Sequence, residues 1–210
     1  MADRFWIPVA KLGFVFILPC AAVGLLAIFL RFIPAAVFFI LITAGLIFFF
    51  RDPERKTVFS PEHLLAPADG KIVSIKNEDG STVTISIFLS LFDVHVVRSP
   101  LEGMIVKVED KPGKSFPAYR NEASLKNRSK TLFIQGRHDL VELKMIVGVA
   151  ARRIFSYVHP GEKVGQAQRM GLMAFGSRVE ISFPSTYALK ISPNQKVKAG
   201  ITLLAQINRS

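Results

Sequence analysis

Cysteine is nearly absent from this chain. The only one, Cys20, lies in an apolar stretch, so disulfides, zinc sites of the cysteine type and thiol catalysis are excluded for everything downstream. Acidic residues are also short, with 16 Asp and Glu against 27 Lys and Arg and a formal net charge of +11. Residues 51–210 hold most of that excess, 24 basic against 15 acidic. A basic chain seeks nucleic acid or an anionic membrane surface. No nucleic-acid motif accompanies the charge, so nucleic acid is not expected as a partner. No long amphipathic helix is evident after residue 50.

Charge is missing altogether from Leu12–Leu30 and Phe32–Phe50, two stretches of 19 residues separated only by Arg31. A helix of that length spans about 28 Å, close to the hydrocarbon thickness of a bilayer. Soluble core helices rarely lack a polar face over such a length, so residues 1–50 read as a membrane-anchoring helical hairpin. Ile17-Leu18-Pro19-Cys20 is similar to a lipoprotein cleavage box, but Pro19 stands where a small residue is needed and a second apolar stretch follows at once. A cleaved signal peptide is therefore disfavoured. Arg4 and Lys11 precede the hairpin, and Arg51, Arg55 and Lys56 follow it. The positive-inside rule puts both ends in the cytoplasm, and with them a domain of residues 51–210 on the cytoplasmic side of the cell (inner) membrane.

Past Arg51 the composition changes. Residues 51–70 read as an extended linker. Leu132–Gln135, Val141–Met145, Val179–Phe183 and Tyr187–Ile191 alternate with period two, and Val83–Leu89 and Ile201–Ile207 read as more buried strands. Glu78-Asp79-Gly80, Gly136-Arg137-His138-Asp139, His159-Pro160-Gly161 and Ser192-Pro193-Asn194 are turn signals. The expectation is a mostly-β fold, a compact β-sandwich behind the hairpin, with a long loop over residues 111–130. Gly161–Gly165 and Lys196–Ile201 echo one another weakly, which the general need for turn glycines explains.

Three segments carry chemistry-bearing residues: Pro67-Ala68-Asp69-Gly70, Phe92-Asp93-Val94-His95-Val96-Val97-Arg98-Ser99-Pro100, and Phe175-Gly176-Ser177-Arg178. An Asp before Gly is ordinarily a turn residue and a histidine on a strand ordinarily structural. An extended Asp93–His95 segment would place both side chains on one face. Taken in order behind Phe49-Phe50-Arg51-Asp52-Pro53-Glu54-Arg55, and together with Arg98-Ser99-Pro100-Leu101-Glu102-Gly103, Arg120-Asn121-Glu122 and Ala151-Arg152-Arg153-Ile154, these segments resemble the phosphatidylserine decarboxylases of the short, archaeal-type class.

The resemblance implies a membrane enzyme of phospholipid biosynthesis, a lyase made as a zymogen. It would cut itself between Gly176 and Ser177 into chains 1–176 and 177–210, which stay associated. Ser177 would become a pyruvoyl group, with neither metal nor pyridoxal phosphate, and would form a Schiff base with phosphatidylserine in the bilayer. His95 is implied as base and later proton donor, and Asp69 as the group that orients it. The family's longer members carry a second histidine where this chain has Arg98, so the division of roles among His95, His63 and Arg98 stays open. Arg98, Arg152 and Arg178 are candidates for the substrate carboxylate or phosphate; Arg152, Arg153 and Arg178 equally suit a solvated surface. His138 and His159 read as turn residues, Met170 and Met173 as core. A serine-bearing archaeal-type ether lipid is an alternative substrate, and a non-catalytic membrane-anchored adaptor or a self-cleaving serine peptidase are rival readings. A homodimer is left open.

Overall fold

The computed structural model describes residues 9–55, 60–114, 116, 126–148, 154–173 and 177–207. The chain divides into two compact units, Met1–Glu54 and Arg55–Ser210.

In the first unit a 3-10 turn, Lys11–Gly13, runs into α1 (Phe14–Phe29), and α2 (Ile33–Phe49) returns. Arg31 makes the reversal at φ 55°. Pro34 falls in the first turn of α2, where its missing N–H costs nothing. Val9 and Arg51 close the open end as an antiparallel bridge. Lys11–Phe29 has a mean hydropathy of 2.6 over 19 residues and is long and apolar enough to cross a membrane; α2 is shorter. Leu25, Phe29 and Leu41 are at least two-thirds exposed, which a pair of buried core helices does not permit.

Among the described residues the second unit is built almost wholly of β-strands. Its strands are β1 (His63–Leu65), β2 (Gly70–Glu78), β3 (Thr82–Leu89), β4 (Val96–Arg98), β5 (Gly103–Lys111), β6 (Ser129–Gly136) and β7 (Leu140–Val147). There follow β8 (Ile154–Ser156), β9 (Lys163–Val164), β10 (Arg169–Met173), β11 (Ser177–Pro184), β12 (Tyr187–Leu189), β13 (Lys196–Val197) and β14 (Leu203–Ile207). Eight strands form one antiparallel sheet in the order β13-β2-β3-β11-β7-β6-β5-β9, and two small sheets run β1-β14-β12 and β4-β10-β8. Ile72, Ile87, Leu143 and Ile181 from the large sheet share one core with Leu64, Leu204, Val97 and Met170 from the small ones. The mostly-β expectation and the apolar helical pair are both observed.

The large sheet reads alike from its two edges. A pseudo-twofold relates β1, β2, β3 and β11–β14 to β4–β10. Equivalent residues of β1 and β4, β2 and β5, β8 and β12, and β9 and β13 stand thirty-three positions apart. Leu65 N–H donates to Pro100 O at 2.9 Å, and its mate Arg98 N–H donates to Pro67 O at 2.8 Å. Ile72 N–H reaches Gln195 O at 3.0 Å as Ile105 N–H reaches Glu162 O at 2.9 Å. Both β2 and β5 break register just after the equivalent residues, Ile72 and Ile105. Thus Pro67-Ala68-Asp69-Gly70-Lys71-Ile72-Val73 is repeated as Pro100-Leu101-Glu102-Gly103-Met104-Ile105-Val106. Pro160-Gly161-Glu162-Lys163-Val164 is likewise repeated as Pro193-Asn194-Gln195-Lys196-Val197. The faint echo in the sequence is an internal repeat rather than a shared need for glycine: its two Lys-Val pairs form the opposite edge strands of the sheet.

Two other segments differ from expectation. Residues 51–70 are not simply a linker, because β1 pairs with β14 and Leu64, Leu65, Ala66 and Ala68 are buried. Apolar side chains there outweigh the Pro and Asp content. In the stretch 111–130, Lys111 ends β5 and Ser129–Lys130 open β6; most of what lies between is outside the described residues.

Candidate active site

Asp69 closes the loop before β2. The next residue, Gly70, adopts φ 148°, and a Cβ there would sit 2.2 Å from Phe88 O. Only glycine lets β2 enter against β3 at this point. Lys71 pairs with Phe88, and Phe88 pairs with Arg178. The start of β2, the end of β3 and the start of β11 therefore lie side by side. About two strand spacings, roughly 10 Å, separate the backbones near Asp69 and Ser177.

Ser177 is the first residue of β11, between Leu89 and Val147. It is fully buried, and its Oγ has no hydrogen-bond partner among the described residues. A buried hydroxyl left so costs about 1–3 kcal/mol, and its retention calls for an explanation.

His95 follows the turn after β3. Asp93 Oδ2 closes that turn by accepting from Ser90 N at 2.8 Å and Ser90 Oγ at 2.6 Å. Asp93 is therefore a turn residue, and it is its carbonyl that meets the histidine: His95 Nδ1 lies 2.9 Å from Asp93 O. A carbonyl only accepts, so Nδ1 carries the proton and Nε2 of the neutral ring keeps the lone pair. The ring is fully buried. His95 O accepts from Met173 N–H at 3.2 Å, which ties His95 to the end of β10, just ahead of Ser177 in the chain. Asp69 and Ser177 thus lie at one end of the large sheet, and His95 is tied to β10 just ahead of Ser177 in the chain, with no hydrogen bond joining Ser177 Oγ to His95 among the described residues.

Both oxygens of Asp69 are engaged. Arg55 Nη2 donates to Oδ2 at 2.8 Å and Ala199 N–H donates to Oδ1 at 2.7 Å. The Arg55 and Asp69 side chains are only 9% and 12% exposed, so this is a buried ion pair. Arg55 is the site neighbour that the sequence did not disclose. It stood in the quoted Arg51–Arg55 segment, but no spacing rule ties an arginine there to Asp69.

Arg98 and Arg178 are both buried rather than solvated. Arg98 Nη1 donates to Ala167 O at 3.1 Å. Burial pushes the Arg178 guanidinium below its ordinary value, opposed by Glu180, whose carboxylate lies 3.8 Å away. Gly176, Arg152, Arg153 and the Arg120-Asn121-Glu122 segment lie outside the described residues. His63 lines a cleft with Glu102, Gly136 and Lys163, at the end of the sheet remote from Ser177. Met170 and Met173 are core residues.

Comparison with known proteins identifies the family. The family model for phosphatidylserine decarboxylase matches residues 42–205. A phosphatidylserine decarboxylase proenzyme of Solibacter usitatus is 39% identical over 187 residues, covering 89% of this chain and 90% of the relative. One from Azorhizobium caulinodans is 39% identical over 214 residues, covering 95% and 89%. A third, from Burkholderia ambifaria, is 36% identical over 207 residues, covering 96% and 97%. With a family model spanning most of the β unit and relatives matched almost end to end, this chain belongs to the phosphatidylserine decarboxylase family.

Proposed function

We propose that the protein decarboxylates phosphatidylserine to phosphatidylethanolamine and carbon dioxide, using a pyruvoyl group made from its own Ser177. The observation that carries this reading is the buried Ser177 Oγ at the start of β11, which has no hydrogen-bond partner among the described residues. A hydroxyl satisfied by a structural neighbour would not be free to attack; this one has an open lone pair among the described residues, next to the bond that the resemblance implies is cut.

In the proposed sequence His95 Nε2 takes the hydroxyl proton. Ser177 Oγ adds to the Gly176 carbonyl carbon, and the Gly176–Ser177 C–N bond breaks to leave an ester and a free amine. Removal of the residue-177 α-proton then expels Oγ with the Gly176 carboxylate and leaves dehydroalanine. Water replaces the nitrogen, ammonia leaves, and the result is a pyruvoyl-blocked chain 177–210 beside chain 1–176. Asp69 supplies the buried negative charge that stabilises the imidazolium formed on His95. The pyruvoyl group, when formed, supplies the electron sink that no ordinary side chain offers for the carbanion left by carbon dioxide. His95 then returns a proton to that carbon. Arg98, Arg178 and Arg152 are assigned to the substrate carboxylate and phosphate, for which a guanidinium fork suits both.

The proposal includes a hairpin of residues 1–50 seated in the cell membrane and a catalytic domain, residues 51–210, on its cytoplasmic side. The unbroken apolar surface of α1 and the basic residues flanking the hairpin support that placement. The test is a paired assay of wild type and Ser177→Ala. Wild type should yield two chains and ethanolamine lipid. The variant should stay whole and inactive, and a cleaved or active Ser177→Ala protein contradicts the reading.

A further inference from the structure

The pseudo-twofold carries the catalytic end of the sheet onto its other end. There the structure holds a cleft of about 460 Å³ lined by His63, Glu102, Arg137, His138, Lys163 and Tyr187, among others. The correspondence is residue by residue. Glu102 stands where Asp69 does, and Gly103 closes on Gln135 O as Gly70 closes on Phe88 O. Lys163 and Val164 of β9 take the places of Lys196 and Val197 of β13. Asp139, just before β7, takes the place of Ser177 at the start of β11. Along β7 and β11 the backbones lie roughly 20 Å apart from one end to the other, so the cleft is separate from the Ser177 centre.

The mate has lost what self-processing needs and gained charge. Asp139 occupies the position of Ser177, so no hydroxyl is available there. Its carboxyl receives the Tyr187 hydroxyl, and burial together with Asp139 pushes that phenol up to about 12. Arg137, Lys163, His63 and His138 converge from three separate stretches of chain. Glu102 contributes an acid on the same cleft, and none of these charged groups is in an ion pair among the described residues. Charges of both signs thus face one hollow without pairing with one another.

We infer that this cleft is a second binding site, for a small zwitterion that joins a phosphate to an ammonium group. Arg137 and Lys163, with the imidazoles of His63 and His138, receive the phosphate. Glu102 receives the ammonium. The inference rests on the cleft and on the repeat, and it stands whether or not Ser177 becomes a pyruvoyl group.

Carbethoxylation of histidines, mapped by mass spectrometry on the full chain, reads the site directly. His138 and His159 are exposed and His63 half-buried, while His95 is inaccessible; His159 lies outside the cleft lining and serves as the control. Soluble glycerophosphoethanolamine at about 10 mM, enough to fill a site of roughly 1 mM Kd, should slow modification of His63 and His138 several-fold and leave His159 unchanged. Glycerol phosphate, which lacks the amine, should protect less. Arg137→Ala with Lys163→Ala should abolish the protection while an unchanged Tm and a His95 that stays unmodified show that the variant folds. Glu102→Gln should remove the preference for the amine-bearing probe. Phosphatidylethanolamine vesicles in place of the soluble probe tell a lipid-borne headgroup from a free one, and protection by either supports the site. Unchanged modification with both, equal protection by glycerol phosphate, or protection that survives the double substitution overturns it.

Discussion

Arg55 stands one contact behind the proposed catalytic groups, on Asp69. Taking a guanidinium out of water costs several kcal/mol, and a buried pair recovers that only with good geometry and further donors. Here Asp69 receives one donor on each oxygen. Asp69→Asn leaves the Arg55 charge buried and uncompensated, which should cost about 3 kcal/mol and appear as a lowered Tm together with slowed self-cleavage. Because Asp93 O already fixes the His95 tautomer, the slowing is expected from lost charge rather than from a rotated ring. Arg55→Lys, which keeps the charge, should retain more cleavage than Arg55→Gln; equal rates in the two would show that the charge on Asp69's partner is immaterial. Tyr187 offers a pH test. Its phenol is raised from 10.0 to about 12 by burial first and Asp139 second. An acid held protonated by the fold contributes stability that is fully present below pH 10 and lost as pH rises through about 12. Phenolate absorbance should therefore show a late-titrating step, and Tyr187→Phe should delete that step; a titration unchanged by the substitution rejects the assignment.

At the scale of elements, the turn and strand signals were legible because they are local. Asp79 and Gly80 adopt φ 54° and 71° in the β2–β3 hairpin, as an Asp-Gly pair invites. Alternation marked β6, β7 and β11 because each buries one face. The two-residue strands β9 and β13 and the three-residue β4 and β8 were not legible, since so few residues carry no period. The repeat was seen only as an echo because its halves are interleaved. Strands β4–β10 are inserted between β3 and β11, so the sequence recurs only in short, separated stretches such as Pro67–Val73 with Pro100–Val106. Within the site, Asp69, His95 and Ser177 were found by resemblance, whereas Arg55 and the Ala199 amide reach Asp69 only through tertiary contact. Gly70 and Gly103 make the repeat testable. An alanine at either would press its Cβ to within 2.5 Å of a backbone carbonyl oxygen, so both variants should lose on the order of 2 kcal/mol or more. Gly70→Ala should in addition lose self-cleavage beyond what its lower Tm explains, because only that loop carries Asp69. Equal cleavage by the two variants at matched stability would contradict the placement of the site at the β2 end.

At the scale of the whole molecule, the proposed function has the apolar hairpin and the basic β unit each meet a bilayer. The net charge of +11 adds attraction to anionic lipid that salt screens. At fixed phosphatidylserine content, turnover on phosphatidylglycerol vesicles should exceed that on phosphatidylcholine vesicles. The difference should close near 1 M salt, where the Debye length is about 3 Å; a salt-independent difference, or none at all, would remove charge from the account. The central claim, that Ser177 is spent to make the cofactor, is tested most directly by the intact mass of the purified protein. The account predicts two chains, residues 1–176 ending in a free carboxylate and residues 177–210 lighter by one ammonia than a serine-started peptide of the same length. A single mass for all 210 residues, or a second chain beginning with unmodified serine, would contradict it.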